Sequence, residues 1–153
     1  MKNVFLATSF SHKVNPAGEV EAAFQAEVEV LLQGMRKEAG VKVFCAAEDE
    51  NWHIFNTALP EVAVQNDLKV LDAADVLVVL LDQKISAGVQ FEMGYAVAKG
   101  KQVVLAVQQG VEIAAYNQGA IGAGWMTLIT YANVEALIPQ LTLAINAPQE
   151  VLS

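Results

Sequence analysis

Three short, unbroken apolar runs constrain this chain more than any other feature. They are residues 4–8 (VFLAT), 76–81 (VLVVLL) and 102–107 (QVVLAV). A run of that length with little polar alternation marks a strand covered on both faces, the situation of parallel sheets clothed by helices. The segments between have helical spacing. In residues 19–39, Val20, Phe24, Val28, Leu31, Leu32 and Met35 recur at steps of three and four, and Gly40 stands where a helix ends. Residues 41–46 make another strand, followed by a polar loop, 47–59, with Trp52 and His53. Pro60 opens a helix to about residue 74, with Val64, Leu68 and Leu71 on one face. After the 76–81 strand come a loop, 82–86, and a helix, 87–99, stopped by Gly100. Residues 108–124 are glycine-rich and irregular, with at most one helical turn, before a fifth strand at 126–131 and a last helix at 134–145.

Strands separated by helices pair in parallel through right-handed crossovers. The expectation is a flavodoxin-like, doubly wound, five-stranded parallel sheet in a three-layer α/β/α sandwich, one domain over residues 1–153. Hydrophobic residues at 54% and charged ones at 17% exclude a disordered chain. A net charge of −8 argues against a partner that is a nucleic-acid polymer, which needs a basic face. Cys45 is the only cysteine, so no intrachain disulfide forms and a reducing compartment fits. The opening residues lack a signal-peptide pattern and no window approaches a membrane span, so no membrane partner and a cytoplasmic location are expected.

In sheets of this kind the ligand lies beyond the carboxyl ends of the strands. That rule selects Thr8, Ser9, Phe10, Ser11 and His12 after the first strand, and Ala47, Glu48 and Trp52 after the second. It adds Asp82 and Ser86 after the third, and Gln108 and Gln109 after the fourth. The most informative stretch is residues 86–96, SAGVQFEMGYA. Ser86 is a good helix N-cap, and Gly88 lets another group approach the backbone. Free N–H groups at this helix start suit an anion or ligand hydroxyls. Glu92 lies one turn beyond Gly88 on the same face, a lone carboxylate among apolar or small neighbours. It is either a solvated helix charge or a group held for chemistry. Asp67, on the helix before the third strand, has the same two readings. Two carboxylates flanking a sugar are the equipment of glycosidic chemistry. Other constellations fail: there is no dinucleotide or phosphate-binding glycine loop, no metal-ligand spacing and no serine-hydrolase elbow.

Residues 88–96 (GVQFEMGYA), Gly100–Lys101 and the upstream Asn66–Asp67–Leu68 resemble the nucleoside 2-deoxyribosyltransferase superfamily, over roughly residues 4–107. The resemblance implies that Glu92 is the nucleophile that attacks the anomeric carbon and forms a glycosyl-enzyme ester. It implies that Asp67 is the acid assisting departure of the base. Transferases of the family pass a deoxyribosyl group to another base; nucleoside 5′-monophosphate hydrolases pass the sugar to water. Ser86 stands where transferases carry Asp and the nucleotide hydrolases carry a phosphate-binding Ser. Phe5 stands where deoxyribosyl enzymes usually have Tyr, as in the cytidylate-type hydrolases. Residues 10–16 and the Ala46–Ala47 to Trp52 segment also resemble that group. Asn117 falls near the transferase asparagine that reaches a neighbouring subunit's sugar 5′-hydroxyl. Ser11 departs from the hydrolase pattern, which has a phosphate-clamping Arg there; Lys13 or His12 would have to substitute.

The remaining residues carry paired readings. Phe10 and Trp52 stack on the base or pack ordinarily. Glu48 contacts the base amino group or is a solvated charge. Trp125 and Met126 read as core, and Cys45 as a small buried apolar residue. The expected site is catalytic Glu92 and Asp67, with substrate held by Phe5, Ser9, Phe10, Ser86, Gly88, Trp52 and Asn117. No metal or organic cofactor is expected, and the partners are a small nucleoside or nucleotide and further copies of the chain, as a homodimer or larger. The expected reaction is hydrolysis of a nucleoside 5′-monophosphate. The alternatives are base exchange between 2′-deoxynucleosides and a non-catalytic nucleotide-binding module.

Overall fold

The computed structural model describes residues 1–10, 12–53 and 59–148. Five strands, β1 (Asn3–Thr8), β2 (Lys42–Phe44), β3 (Val76–Leu81), β4 (Gln102–Gln108) and β5 (Thr127–Tyr131), form one sheet in the order β2-β1-β3-β4-β5. Every pairing is parallel, with Val4 against Val43 and Val76, Val78 against Val104, and Val104 against Thr127. This is the flavodoxin-like order, and the strand sequence reverses between β1 and β3.

Strand parity sorts the side chains into two cores. Val4, Leu6, Val76, Val78, Leu80, Val104 and Ala106 join Phe24, Val28 and Leu31 of α1 (Ala22–Gly34) and Leu137 and Leu141 of α6 (Val134–Asn146). Phe5, Ala7, Leu77, Val79, Leu81, Val103 and Leu105 join Leu71 of α3 (Pro60–Ala73) and Val89, Met93 and Ala96 of α4 (Ala87–Ala98). β3 is buried at every position, as its unbroken apolar run requires.

Three boundaries differ from the sequence pattern. The first helix starts at Ala22 rather than 19, because Val20 bridges Val14 and Glu19 bridges His53, which hold that stretch extended. It ends in a π-helical turn, Met35–Ala39, closed by Gly40 at φ 64°. β2 is only three residues long, because Cys45 already stands at the N-cap of a one-turn helix, α2 (Ala46–Asp49). The glycine-rich segment after β4 contains two turns of helix, α5 (Ala115–Gly122), not one.

Candidate functional site

α3 and α4 cover the same face of the sheet and both begin at its carboxyl edge. Asp67 lies seven residues into α3 and Glu92 five into α4, so at 1.5 Å per residue both sit about 8–10 Å below that edge. Glu92 is half-buried, one position before Met93, which is fully buried against the sheet. Asp67 is half-buried beside Leu68, which packs on the same core. Burial pushes the Glu92 carboxyl up to about 7, and the nearby charge of Asp67 adds to the push. Asp67 is itself raised by burial. The two residues selected from sequence are therefore brought together as an interacting carboxyl pair.

Glu50, which sequence reasoning passed over, joins them. Its carboxyl is raised by burial, then by the charges of Asp67 and Asp49. It directly precedes Asn51 and Trp52, which both adopt left-handed backbone at φ 53° and 58°. That costly turn is closed by the Trp52 N–H on the Ala47 carbonyl at 2.7 Å. Three acids in a row, Glu48-Asp49-Glu50, offer no sequence signal that singles out the third.

The loops after β1 and β3 are joined at the start of α4. The Ser86 N–H donates to Ser9 Oγ at 3.1 Å, and Gln83 Nε2 donates to the Ser9 carbonyl at 2.9 Å. Ser9 is 2% exposed, so its side chain is committed to this joint. Ser86 caps α4, its Oγ accepting from the Val89 N–H at 3.3 Å. A methyl group added at Gly88 would meet nothing within 4 Å, so the helix start opens onto free space. Phe5 is 2% exposed and lies in the core beneath α3 and α4, its ring 5.2 Å from that of Phe44. It brings no hydroxyl to Glu92.

Other selected residues are placed elsewhere or engaged. Phe10 and Trp52 pack, half-buried, on the core of the α1–α6 face, the ordinary-packing arrangement. Asn117 is 3% exposed and exchanges two amide hydrogen bonds of 3.0 Å with Gln90. Glu48 is held by Arg36 through contacts of 2.9 and 2.6 Å, which pull its carboxyl below the usual range. Lys13 turns to Asp82, 3.5 Å away. Cys45 is buried, its thiol raised chiefly by burial. Trp125 is not core: it is 58% exposed and precedes β5, whereas Met126 is buried. Ser11 lies outside the described residues. Among the described residues no group of His, Cys, Asp and Glu is arranged to hold a metal ion.

A doubly wound parallel sheet with an interacting carboxyl pair under its carboxyl edge is suited to work at an anomeric carbon. The family described as nucleoside 2-deoxyribosyltransferase matches residues 16–143, and the chain belongs to that family. It is an enzyme of the deoxyribosyltransferase or N-glycosidase type. Among solved structures it is similar to that of BlsM, at 26% identity and TM-score 0.72, covering 97% of this chain and 96% of that one. It shares the fold of the Clostridium botulinum CMP N-glycosidase BcmB, at 20% identity and TM-score 0.67, over 93% of this chain and 99% of that one. It also shares the fold of a 2-deoxyribosyltransferase from Bacillus psychrosaccharolyticus, at 17% identity and TM-score 0.60, over 89% and 90%. No curated protein matches the chain. No helix among the described residues is long and apolar enough to cross a membrane.

Proposed function

We propose that the enzyme cleaves the N-glycosidic bond of a nucleoside 5′-monophosphate and passes the sugar to water. The observation that carries this reading is the Glu92–Asp67 pair, two half-buried carboxyls on neighbouring helices with the charge of one acting on the other. Glu92, ionised, attacks C1′ and forms a glycosyl ester as the bond to the base breaks. Asp67, protonated, gives its proton to the leaving base, and its carboxylate then takes a proton from the water that opens the ester. The working state of the pair therefore holds one proton; burial and the Asp67 charge favour it on Glu92, and it passes to Asp67 before Glu92 attacks.

The preference for a 5′-phosphate rests on Ser86 and the open helix start at Gly88, where hydroxyl and N–H donors suit an anion. The preference for water over a second base rests on Phe5, whose ring leaves Glu92 without a phenol partner. The tie of Asn117 to Gln90 gives no support to a reach into a neighbouring site. Base exchange between 2′-deoxynucleosides is the second reading, favoured by the description of the family itself.

Release of free base from a nucleoside 5′-monophosphate, followed across pH, tests the assignment. The rate should be bell-shaped, falling above about pH 7 as the pair loses its last proton. Asp67→Asn should remove the bell and lower the rate by about 10²–10⁴-fold. A rate that climbs to a plateau at alkaline pH, unchanged in Asp67→Asn, would contradict the acid role.

A further inference from the structure

Tyr95 and Lys101 belong to the same stretch of sequence as Glu92, yet the reaction assigned above gives them no part. Both are engaged with one residue of α3. The Tyr95 hydroxyl donates to Asp72 Oδ1 at 2.7 Å, and among the described residues this is the only hydrogen bond that joins α3 to α4. The Lys101 ammonium donates to the Asp72 and Ala74 carbonyls at 2.8 and 2.6 Å, setting a positive charge where the carbonyls of α3 end. The Lys99 ammonium lies 3.5 Å from Asp72 Oδ1 and 5.1 Å from the centre of the Tyr95 ring.

This joint crosses the same gap as the carboxyl pair. Tyr95 comes three residues after Glu92 on α4, and Asp72 five after Asp67 on α3. At 1.5 Å per residue it therefore lies about 4–8 Å further from the carboxyl edge than the two carboxyls. A step of three also keeps Tyr95 on the Glu92 side of its helix. Leu68 and Leu71 of α3 and Val89 and Met93 of α4 rest on the sheet through apolar packing, which has no preferred direction. A hydrogen bond has one, and its length is narrowly defined. Asp72 is solvent-exposed, and exposed contacts of this kind add little to stability. What the joint fixes is where one helix stands against the other.

We propose that Tyr95 is a positioning residue, whose hydroxyl, held by Asp72, sets the spacing of α3 and α4 and so the approach of Glu92 to Asp67. Its effect on rate rests on the glycosidic reading above; the spacing does not. A wider gap admits water to Glu92 and moves the Asp67 charge away. Both causes that raise the Glu92 carboxyl then weaken, and it titrates lower. Asp67 is the charge acting on Glu92, and it acts also on Glu50 at the end of α2. Asp72 is held below the usual carboxylate range, first by the Tyr95 hydroxyl and further by the Lys99 charge, so it stays ionised wherever Glu92 titrates.

Titration of the Glu92 carboxyl by carbon NMR tests the spacing with no substrate present. Tyr95→Phe keeps the ring and loses only the hydroxyl, and Glu92 should titrate about half a unit or more lower in it than in the native chain. Asp72→Asn removes the charge but keeps an acceptor oxygen, so Glu92 should stay near its native titration. In base release, Tyr95→Phe should lower kcat by about tenfold or more with KM little changed. Its alkaline limb should move to lower pH. Melting temperatures should change little, as expected of an exposed contact. An unmoved Glu92 titration in Tyr95→Phe would overturn the proposal, and so would a native kcat. A fall in kcat matched by a fall in melting temperature, with Glu92 unmoved, would reduce Tyr95 to a structural part and overturn it equally. If the native chain releases no base, the hydrolase reading fails, and the Glu92 titration alone decides the spacing.

Discussion

Glu92 is costly to the fold, and that cost is measurable. A carboxyl raised from 4.5 to about 7 has its charged form disfavoured by about 3 kcal/mol in the native state. Below pH 4.5 the group is neutral in both folded and unfolded chains, so it has no effect. As pH rises from 4.5 through 7 the unfolded chain ionises first and gains, so native stability is lost across that window. Glu92→Gln removes the ionisation. It should raise the melting temperature at pH 8, by roughly 2–4 °C per kcal/mol recovered, and leave it unchanged at pH 4. Equal shifts at both pH values would show that Glu92 is not held against its charge. The residue was legible in sequence because a single carboxylate interrupts an apolar helical run. The engagement of Asn117 was not, because its partner Gln90 is 27 residues away and only the packing of α5 on α4 brings the amides together. Glu50 was hidden by its acidic neighbours, and only the fold, which lets the Asp67 charge act on it, distinguishes it.

Elements with a strong apolar pattern were read from sequence almost to the residue, and those without one were not. β3, β4 and α4 carry unbroken or tightly bounded runs and match closely. α5 has two glycines among its eight residues and a single buried side chain, Asn117, so no stripe announces it. The close approach of α1 and α6 is also invisible in a sequence pattern. It depends on Gly34, where a Cβ would fall 2.8 Å from Ile138 Cγ1 and closer still to Cδ1. Ile138 is buried and has little room to yield. Gly34→Ala should therefore destabilise the fold by about 1–3 kcal/mol, the usual cost of overpacking, despite the gain in helix propensity. Urea denaturation checks it, and an unchanged midpoint would mean that the two helices part without penalty.

At the scale of the molecule, the parallel order fixed which loops meet, and so which side chains share a crevice. The same topology leaves large apolar residues uncovered around the proposed site. Leu59 is 60% exposed and Phe91, next to Glu92, 56%, and Val62 and Val64 of α3 are also exposed. We propose that a second copy of the chain covers this rim, as burial of such residues at an interface favours association. Sedimentation velocity should show a dimer or larger, and Phe91→Asp should shift it toward monomer; a native monomer at all concentrations would contradict the interface. Cleavage of a nucleoside 5′-monophosphate through Glu92 is tested by chromatographic detection of free base. The enzyme is incubated with ribo- and deoxynucleosides and their 5′-monophosphates, with and without a second base, beside Glu92→Ala. Base should be released from a monophosphate without any acceptor, and none by Glu92→Ala. Exchange seen only between a deoxynucleoside and an added base would contradict it, and would take from Ser86 the phosphate assigned to it.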